Sequence, residues 1–215
     1  MDLPPIKPSR GPVHRDNRRF PIVHRLETCA VACAAALVLL AQPGCGGSGD
    51  ATVMGKPPDY RSALTGAPEP LARLYSHGDR LLGGGTQAFQ AELDALRGYP
   101  VIVNKWASWC VPCRSEFSYL QRLSARFGKR VAFLGVDARD SSAAARTFLE
   151  EFPLPYPSYS DPDQSISRLL GATPGFPATA FYAPSGQRIF LRQGQYAGQA
   201  ELAADIRRYA LGNGE

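Results

Sequence analysis

Hydrophobic residues along the chain form two continuous runs and several helically spaced stretches. The runs at 101–106 and 130–136 are apolar enough to predict strands that are buried on both faces of a sheet. Each run is followed by apolar residues that recur every three or four positions, the pattern of a helix packed on a sheet. The centre of the chain therefore predicts alternating strands and helices. The first predicted helix follows Cys110 and has an apolar stripe formed by Phe117, Leu120, Leu123 and Phe127.

Two more helices are predicted after the second run. The first is expected to be capped by Ser141 or Ser142 and to end at Phe152, because closely spaced prolines follow. A short helix is then expected to begin at Asp161 or Asp163, since aspartate favours the first turn of a helix. These helices place a substantial segment between the central strands and the end of the chain.

The last part of the chain predicts a hairpin and a helix. Two stretches with strand character, 178–183 and 188–193, flank the turn sequence Pro184-Ser185-Gly186, which predicts two antiparallel strands. An amphipathic pattern at 199–211 predicts the final helix. The antiparallel pair implies that the sheet is mixed.

Upstream of the first run, residues 71–82 are interpreted as a short hairpin, and Thr86 as the N-cap of a helix that ends near Arg97. The full order is β-α-β-α-(α)-β-β-α, preceded by these N-terminal elements. The sequence thus predicts an α/β fold whose central mixed sheet is flanked by helices, with an N-terminal extension and a central insertion.

The N-terminal region has the pattern of an export signal. Residues 29–41 form a 13-residue apolar run, whereas a membrane-spanning helix needs roughly 20 apolar residues. A basic segment precedes the run, and Gly44-Cys45 with a Gly/Ser tail follows it, which resembles a bacterial lipoprotein signal. Residues 1–45 are interpreted as a signal peptide or membrane anchor, with Cys45 as the lipidation site. Gln42 departs from that pattern, so an uncleaved or otherwise cleaved leader stays an alternative.

Composition separates the leader from the body of the chain. Residues 46–69 are rich in Gly and Pro and are interpreted as a flexible linker, and 70–212 as the folded domain. The leader, 1–44, holds six Lys or Arg and three Asp or Glu, whereas 45–215 holds 18 and 16. Because the body is nearly neutral and has no basic stripe, nucleic-acid binding is not expected.

The predicted domain contains one pair of cysteines, Cys110 and Cys113. A domain of this size needs no disulfide staple, so the pair is interpreted as chemically active. The pair lies where a strand turns into a helix, and a helix N-terminus favours the thiolate of the first cysteine. A closed zinc site would need four ligands, and the domain adds only His77. We therefore expect a redox dithiol, with no metal and no cofactor.

With this cysteine pair and its flanking residues, the chain resembles the thioredoxin-like family, and within it the exported TlpA/ResA-type thiol–disulfide oxidoreductases. The resemblance covers about 70–212. It rests on Val-Asn-x-Trp-Ala-Ser-Trp-Cys-x-Pro-Cys-Arg at 103–114, on Gly-Phe-Pro-Ala-Thr at 175–179, and on the hairpin and helix that follow. It implies a thioredoxin-like fold for this domain.

The resemblance also implies roles for individual residues. Cys110 would be the nucleophile, and Cys113, lying deeper, would resolve the mixed disulfide. Pro177 would be the family's cis-proline, which faces the dithiol. The residues that would contact substrate are Trp109, Val111, Pro112, Phe176 and Pro177.

Three polar positions near the dithiol are interpreted separately. Glu116 matches a glutamate that in ResA-type proteins lies beside the active site, although a solvated helix residue is the alternative. Thioredoxin carries a buried aspartate six residues before its first cysteine; here that residue is Asn104, which cannot take a proton. Lys105 stands where the family usually has Phe, and it is expected to face the surface.

The function implied is an exported enzyme that reduces disulfides in extracytoplasmic proteins, with the haem-site cysteines of apocytochrome c as one substrate. A CcdA-like membrane thiol donor would restore the dithiol. The protein is expected to be a monomer, either tethered to the outer face of the cytoplasmic membrane or secreted. Two alternatives stay open: a DsbA-like disulfide oxidase, and a non-enzymatic thioredoxin-fold binding module of the envelope. Peroxidase activity is disfavoured because the expected Thr-x-x-Cys motif is absent.

Overall fold

The computed structural model of the protein describes residues 56–212. The predicted signal peptide, the lipidation site at Cys45 and the first part of the predicted linker lie outside the described residues. The helices are α1 (Tyr60–Leu64), α2 (Glu69–Tyr75), α3 (Gly85–Ala95), α4 (Val111–Phe127), α5 (Ser142–Glu151), α6 (Ser165–Leu169) and α7 (Gln199–Asp205). The strands are β1 (Leu81–Leu82), β2 (Val101–Trp106), β3 (Ala132–Ala138), β4 (Ser158–Asp161), β5 (Ala178–Tyr182) and β6 (Arg188–Gln193).

The six strands form one mixed sheet in the order β1-β4-β3-β2-β5-β6. Strands β2 and β3 pair in parallel, with Trp106 opposite Asp137. On its other side β2 pairs with β5 in the antiparallel sense, with Lys105 opposite Ala178. Since helices cover both faces, the predicted α/β fold with a central mixed sheet is confirmed.

Strand β2 is the buried centre of the sheet, and all six of its residues are buried. Because side chains of a strand alternate between faces, Ile102 and Trp106 enter one core with α4 and α5. Val101 and Val103 enter the other core, which includes residues of α2, α3 and α6. The strand can therefore hold its end, where the dithiol loop begins, in a fixed place.

Trp106 anchors the end of β2 in the first core. Its ring packs edge-on against Phe117 at 5.2 Å and lies 5.3 Å from Phe148. Its indole N–H donates to the hydroxyl of Ser158 on β4 over 3.1 Å. Gly135 leaves room for this hydrogen bond, because a Cβ there would lie 2.1 Å from the Ser158 oxygen.

The N-terminal elements differ from the predicted hairpin at 71–82. That segment forms α2 and then the two-residue β1, which pairs in parallel with β4. Within the segment 46–69, interpreted as linker, the structure contains α1, which begins after Asp59; the Asp59 carboxylate accepts a hydrogen bond from Ser62 N. Residues from 60 onward thus belong to the folded part.

Strand β4 was missed by the hydrophobic pattern, and the last helix ends differently from the prediction. The sequence of β4, Ser-Tyr-Ser-Asp, is polar, and pairing with β1 and β3 makes it a strand. The predicted helix at 199–211 is α-helical only through Asp205 and continues as a π-helical turn, Ile206–Ala210. Ser141 caps α5 as predicted, its hydroxyl accepting from Ala144 N at 3.2 Å.

Within residues 56–212, none of the helices combines the length and the apolar character needed to cross a membrane.

The aromatic cluster around Trp106 predicts a large loss of stability in the Phe117→Ala variant. Phe117 is fully buried between Trp106 and Phe148, so the free energy of unfolding should fall by about 3–5 kcal/mol. Guanidinium unfolding of the oxidised protein measures this change. Val111→Ala on the same helix is the control and should change the value by less than about 0.5 kcal/mol, because Val111 is exposed. A loss of under about 1 kcal/mol in Phe117→Ala would contradict the packing described.

Candidate active site

The two cysteines of the domain lie at the junction of β2 and α4. Cys110 is the N-cap of α4, and its Sγ accepts a hydrogen bond from Cys113 N at 3.2 Å. The two residues form a disulfide across 5.2 Å between their Cα atoms. The helix N-terminus supplies partial positive charge at Cys110, which favours its thiolate once the disulfide is reduced. The pair is thus arranged for reversible thiol chemistry.

The dithiol is buried, but its surroundings are open and apolar. Cys110 is 3% exposed and Cys113 1%, so both sulfur-bearing residues are covered by their neighbours. Trp109 is 53% exposed and Val111 73%, while Pro112 is half-buried. A large exposed tryptophan and valine flanking a buried disulfide form an apolar rim suited to contact another polypeptide.

The predicted cis-proline lies beside this rim. The Phe176–Pro177 peptide is cis, and Pro177 immediately precedes Ala178, which pairs with Lys105 near the end of β2. The ring of Phe176 packs edge-on against Trp109 with centroids 5.0 Å apart. The segment before β5 and the loop after β2 therefore meet at one end of the sheet, as the resemblance implies.

Glu116 is buried on the inner face of α4, so the alternative of a solvated helix residue is wrong. One carboxylate oxygen accepts from Tyr196 N at 2.5 Å. Burial raises the pKa of Glu116 to about 7, and the hydrogen bonds from Tyr196 and Asn104 and the charge of Arg192 oppose the rise. The carboxyl group thus titrates near neutral pH, one helical turn from Cys113.

Asn104 connects this carboxyl group to the sheet. It projects from β2 on the same face as Trp106, and its amide N–H donates to Thr179 Oγ1 on β5 at 3.2 Å. Its side chain also hydrogen-bonds to Glu116. Asn104 cannot take up a proton itself, but it hydrogen-bonds to Glu116, whose carboxyl group can.

Lys105 does not face the surface, contrary to the sequence prediction. Its side chain is fully buried, because β2 is covered on both faces and leaves no surface position. The ammonium group donates to the carbonyl oxygens of Ala172 at 2.6 Å and Gly175 at 3.1 Å. Burial lowers the pKa of Lys105, and the charge of Asp161 opposes that change.

Two aspartates that the sequence analysis did not single out lie next to the dithiol loop. Asp140 accepts from Ser108 N at 2.6 Å, while Arg114 Nε donates to Ser108 O at 3.1 Å, so the loop is held from both sides. Asp137, at the end of β3, is buried, and neither of its oxygens makes a well-formed hydrogen bond. Burial, followed by the negative charge of the neighbouring Asp140, raises the pKa of Asp137 to about 8.

The sequence contains only a weak signal for Asp137. The residue was visible as the polar end of the second apolar run, but a strand that ends in aspartate is common and does not indicate burial. Its proximity to the dithiol loop follows from the pairing of β3 with β2, which places Asp137 opposite Trp106. That register is a property of the fold and not of local spacing.

Two features away from the dithiol show no link to its chemistry. Among residues 56–212, no group of three or more His, Cys, Asp or Glu side chains is placed to hold a metal ion. A cavity of about 440 Å³ lies between α1, α2 and residues 154–155. None of its lining residues belongs to the predicted site, so it does not bear on the dithiol chemistry.

A dithiol at a strand-to-helix junction, near a cis-proline that immediately precedes the neighbouring strand of the sheet, is typical of a thioredoxin-like thiol–disulfide oxidoreductase. Comparison with known proteins agrees with this class. The model of the AhpC/TSA family matches residues 84–187. The thiol:disulfide interchange protein DsbE of Pseudomonas fluorescens is 37% identical over 132 residues, which are 60% of this chain and 67% of that protein.

Two further comparisons support the assignment. The thiol-disulfide oxidoreductase ResA of Oceanobacillus iheyensis is 31% identical over 48% of this chain and 54% of its own length. The crystal structure of a protein described as a DsbE from Chlorobium tepidum superposes with a TM-score of 0.51 at 26% identity, covering 56% of this chain and 85% of that one. The chain belongs to the thioredoxin-like family of thiol–disulfide oxidoreductases that includes DsbE and ResA.

The buried Asp137 predicts a pH-dependent stability that the Asp137→Asn variant lacks. An unfolded aspartate has a pKa of about 4, and the folded pKa is raised to about 8. The unfolded state thus loses its proton first as pH rises, so this residue lowers the free energy of unfolding progressively between about pH 4 and 8. An asparagine at this position cannot ionise and is close in size to aspartate. The free energy of unfolding of the variant should therefore match that of the wild type near pH 4 and exceed it by several kcal/mol at pH 8.

Guanidinium unfolding between pH 4 and 9 measures this difference. Glu151→Gln is the control, because Glu151 is exposed at the end of α5, and its stability curve should run parallel to that of the wild type. A parallel curve for Asp137→Asn as well would show that Asp137 has an ordinary pKa in the folded protein.

Proposed function

We propose that this protein reduces disulfides in extracytoplasmic proteins. The observation that carries the proposal is the Cys110–Cys113 pair at the N-terminus of α4, surrounded by the exposed Trp109 and Val111. A reductase of proteins needs a nucleophilic thiolate, a second thiol within one helical turn, and a surface on which a polypeptide can lie. The cysteine pair, its place at the helix N-terminus and the exposed apolar rim support the proposal on these three points.

The reaction proceeds from the reduced dithiol in two exchanges. The Cys110 thiolate attacks one sulfur of the substrate disulfide; a mixed disulfide forms, and the other substrate sulfur leaves as a thiolate that takes up a proton. The Cys113 thiol then loses its proton and attacks Cys110 Sγ; the mixed disulfide breaks, and the second substrate sulfur leaves as a thiolate that also takes up a proton. The enzyme is left as the Cys110–Cys113 disulfide, and the substrate gains two electrons and two protons.

Glu116 is the proposed acceptor of the Cys113 proton. It lies on α4 one turn beyond Cys113, on the buried side of the helix, and its pKa of about 7 suits proton transfer at neutral pH. Asn104 and Tyr196 hold the carboxylate by hydrogen bonds. The group thus stays in place while it changes its charge.

The proposed substrate surface consists of the apolar rim and the cis-proline segment. Trp109, Val111 and Pro112 form one side, and Phe176 with Pro177 the other. The contact between the rings of Phe176 and Trp109 supports this assignment because it brings both sides together. An extended polypeptide is proposed to lie across this joined surface, with its disulfide above Cys110.

The proposed location and partners follow from the leader and the family. The apolar run 29–41 and Cys45 support export, with lipid attachment at Cys45 tethering the enzyme to the outer face of the cytoplasmic membrane or, without it, secretion. Oxidised haem-site cysteines of apocytochrome c are the proposed substrate, and a CcdA-like membrane thiol donor is proposed to return electrons. The enzyme is proposed to act as a monomer, with the dithiol alone and no cofactor.

The two-step exchange predicts that Cys113→Ser traps substrate. With no resolving thiol, Cys110 of the reduced variant should form a stable mixed disulfide with an oxidised peptide that contains Cys-x-x-Cys-His. Mass spectrometry under non-reducing conditions detects the adduct at close to one peptide per protein. Cys110→Ser is the control and should give at least tenfold less adduct, on the order expected when the nucleophile is lost. If the Cys113→Ser variant gave no adduct, and Cys110 resisted alkylation, the reductase proposal would be wrong.

The proposed role of Glu116 predicts a changed pH profile for Cys110. In the wild type, Glu116 ionises above a pH of about 7, and its negative charge disfavours a nearby thiolate. Glu116→Gln removes this charge, so the Cys110 thiol pKa should fall by about 0.5–1 unit. The rate of iodoacetamide alkylation between pH 5 and 10, measured in a Cys113→Ser background, reports this pKa.

A matched control tests whether the effect needs a carboxylate near Cys110 or follows from the loss of any negative charge. Glu150→Gln removes an exposed carboxylate on α5 and should leave the alkylation profile unchanged. If the pH dependence of Cys110 alkylation were unchanged in Glu116→Gln, the proposed role of Glu116 in proton transfer at the dithiol would be wrong.

A further inference from the structure

A buried lysine connects the strand before the dithiol to the segment before the cis-proline. Lys105 is fully buried on β2, and an ammonium group in a protein interior is unfavourable unless its donors are satisfied. Two of its donors reach the carbonyl oxygens of Ala172 and Gly175. Its Nζ also lies 3.9 Å from the centroid of the Phe176 ring. All three contacts go to the five-residue segment 172–176, which we call the substrate loop.

Main-chain hydrogen bonds fix the substrate loop at its two ends, and Lys105 contacts the loop between them. At its beginning, Ala172 N donates to Ser167 O at 2.8 Å, and just beyond its end, Gly194 N donates to Pro177 O at 2.9 Å. Lys105 reaches between these points and binds both a main-chain carbonyl group and a ring. It is therefore placed to set the conformation of Gly175 and Phe176.

The position of the Phe176 ring depends on two neighbours with different properties. The Lys105 ammonium lies against the ring, and a cation is attracted to the negative face of an aromatic system, most strongly when it is shielded from water. Trp109, at the rim of the dithiol, contacts the same ring edge-on. Lys105, Phe176 and Trp109 thus form a continuous set of contacts from the core of the sheet to the exposed rim.

We propose that Lys105 is a positioning residue for thiol–disulfide exchange with polypeptides. It holds the substrate loop and the Phe176 ring in the arrangement that receives an extended chain beside Cys110. The inference rests on the proposed function, since it assigns to that site the residue that sets its polypeptide-binding wall. Lys105 itself does not touch the reacting sulfur atoms. Its effect is on polypeptide binding and not on the reactivity of the dithiol.

The experiment compares a polypeptide disulfide with a small one. Lys105→Met keeps the length and apolar stem of the side chain and removes the cation. For the oxidised Cys-x-x-Cys-His peptide, KM should rise about tenfold, as expected when a shielded cation–π contact and two hydrogen bonds are lost. Reduction of 5,5′-dithiobis(2-nitrobenzoate), which is too small to need the substrate loop, should stay within about twofold of the wild type.

A control and a second route keep the test independent of the folding of one variant. Lys129→Met removes an exposed lysine and should change neither substrate. Phe176→Leu removes the ring from a half-buried position without exposing the core, and it should raise KM for the peptide to a similar extent. In the double variant Lys105→Met with Phe176→Leu, KM should rise little beyond that of either single variant, because Lys105 is proposed to act on the peptide through the position of the Phe176 ring.

The outcomes distinguish the inference from the function on which it rests. If the wild type reduced the small disulfide but not the peptide, the proposed function would fail first. If the wild type reduced the peptide, and Lys105→Met or Phe176→Leu affected both substrates equally, Lys105 would be structural only. Additive effects in the double variant would also overturn the inference, since they would mean that Lys105 does not act through Phe176.

Discussion

The position of the dithiol depends on the junction between β2 and α4. Strand β2 is buried on both faces, and Trp106 at its end is held by two aromatic rings and by a hydrogen bond to Ser158. Four residues later Cys110 caps α4, so the helix N-terminus is aimed at its sulfur. The strand cannot shift without disrupting both cores. The position of Cys110 is therefore fixed by the packing of β2, away from the sulfur itself.

The two faces of β2 contribute different chemistry to that junction. On the face of Trp106, Asn104 contacts Glu116, and Asp137 lies opposite Trp106 on β3; burial raises the pKa of both carboxyl groups. On the other face, Lys105 keeps an ammonium group inside the protein by binding main-chain carbonyl oxygens and a ring. Carboxyl groups with raised pKa values thus lie on the dithiol side of β2, while Lys105 contacts the loop that precedes the cis-proline.

Much of this architecture could be predicted from local patterns. The buried strands, the helix after Cys110, the Ser141 cap and the C-terminal hairpin each follow from spacing within one segment. Strand β4 could not be found that way, because its polar sequence becomes a strand only by pairing between two neighbours. The same reason hides Asp137, whose relation to the dithiol is set by the register between β3 and β2. Strand β4 and the place of Asp137 thus depend on interactions between segments that are distant in the sequence, which local patterns do not contain.

Lys105 shows how two predictions from one sequence can disagree. A strand that is buried on both faces has no position that faces water, so predicting β2 to be buried already implied a buried lysine. The assignment of Lys105 to the surface followed the usual behaviour of lysine instead. When a charged residue lies inside such a strand, neighbouring polar atoms must form hydrogen bonds with its charged group. The direction of the side chain therefore indicates where those polar atoms lie. Here it points to the loop that precedes the cis-proline, because the antiparallel partner of Lys105 is the first residue after Pro177.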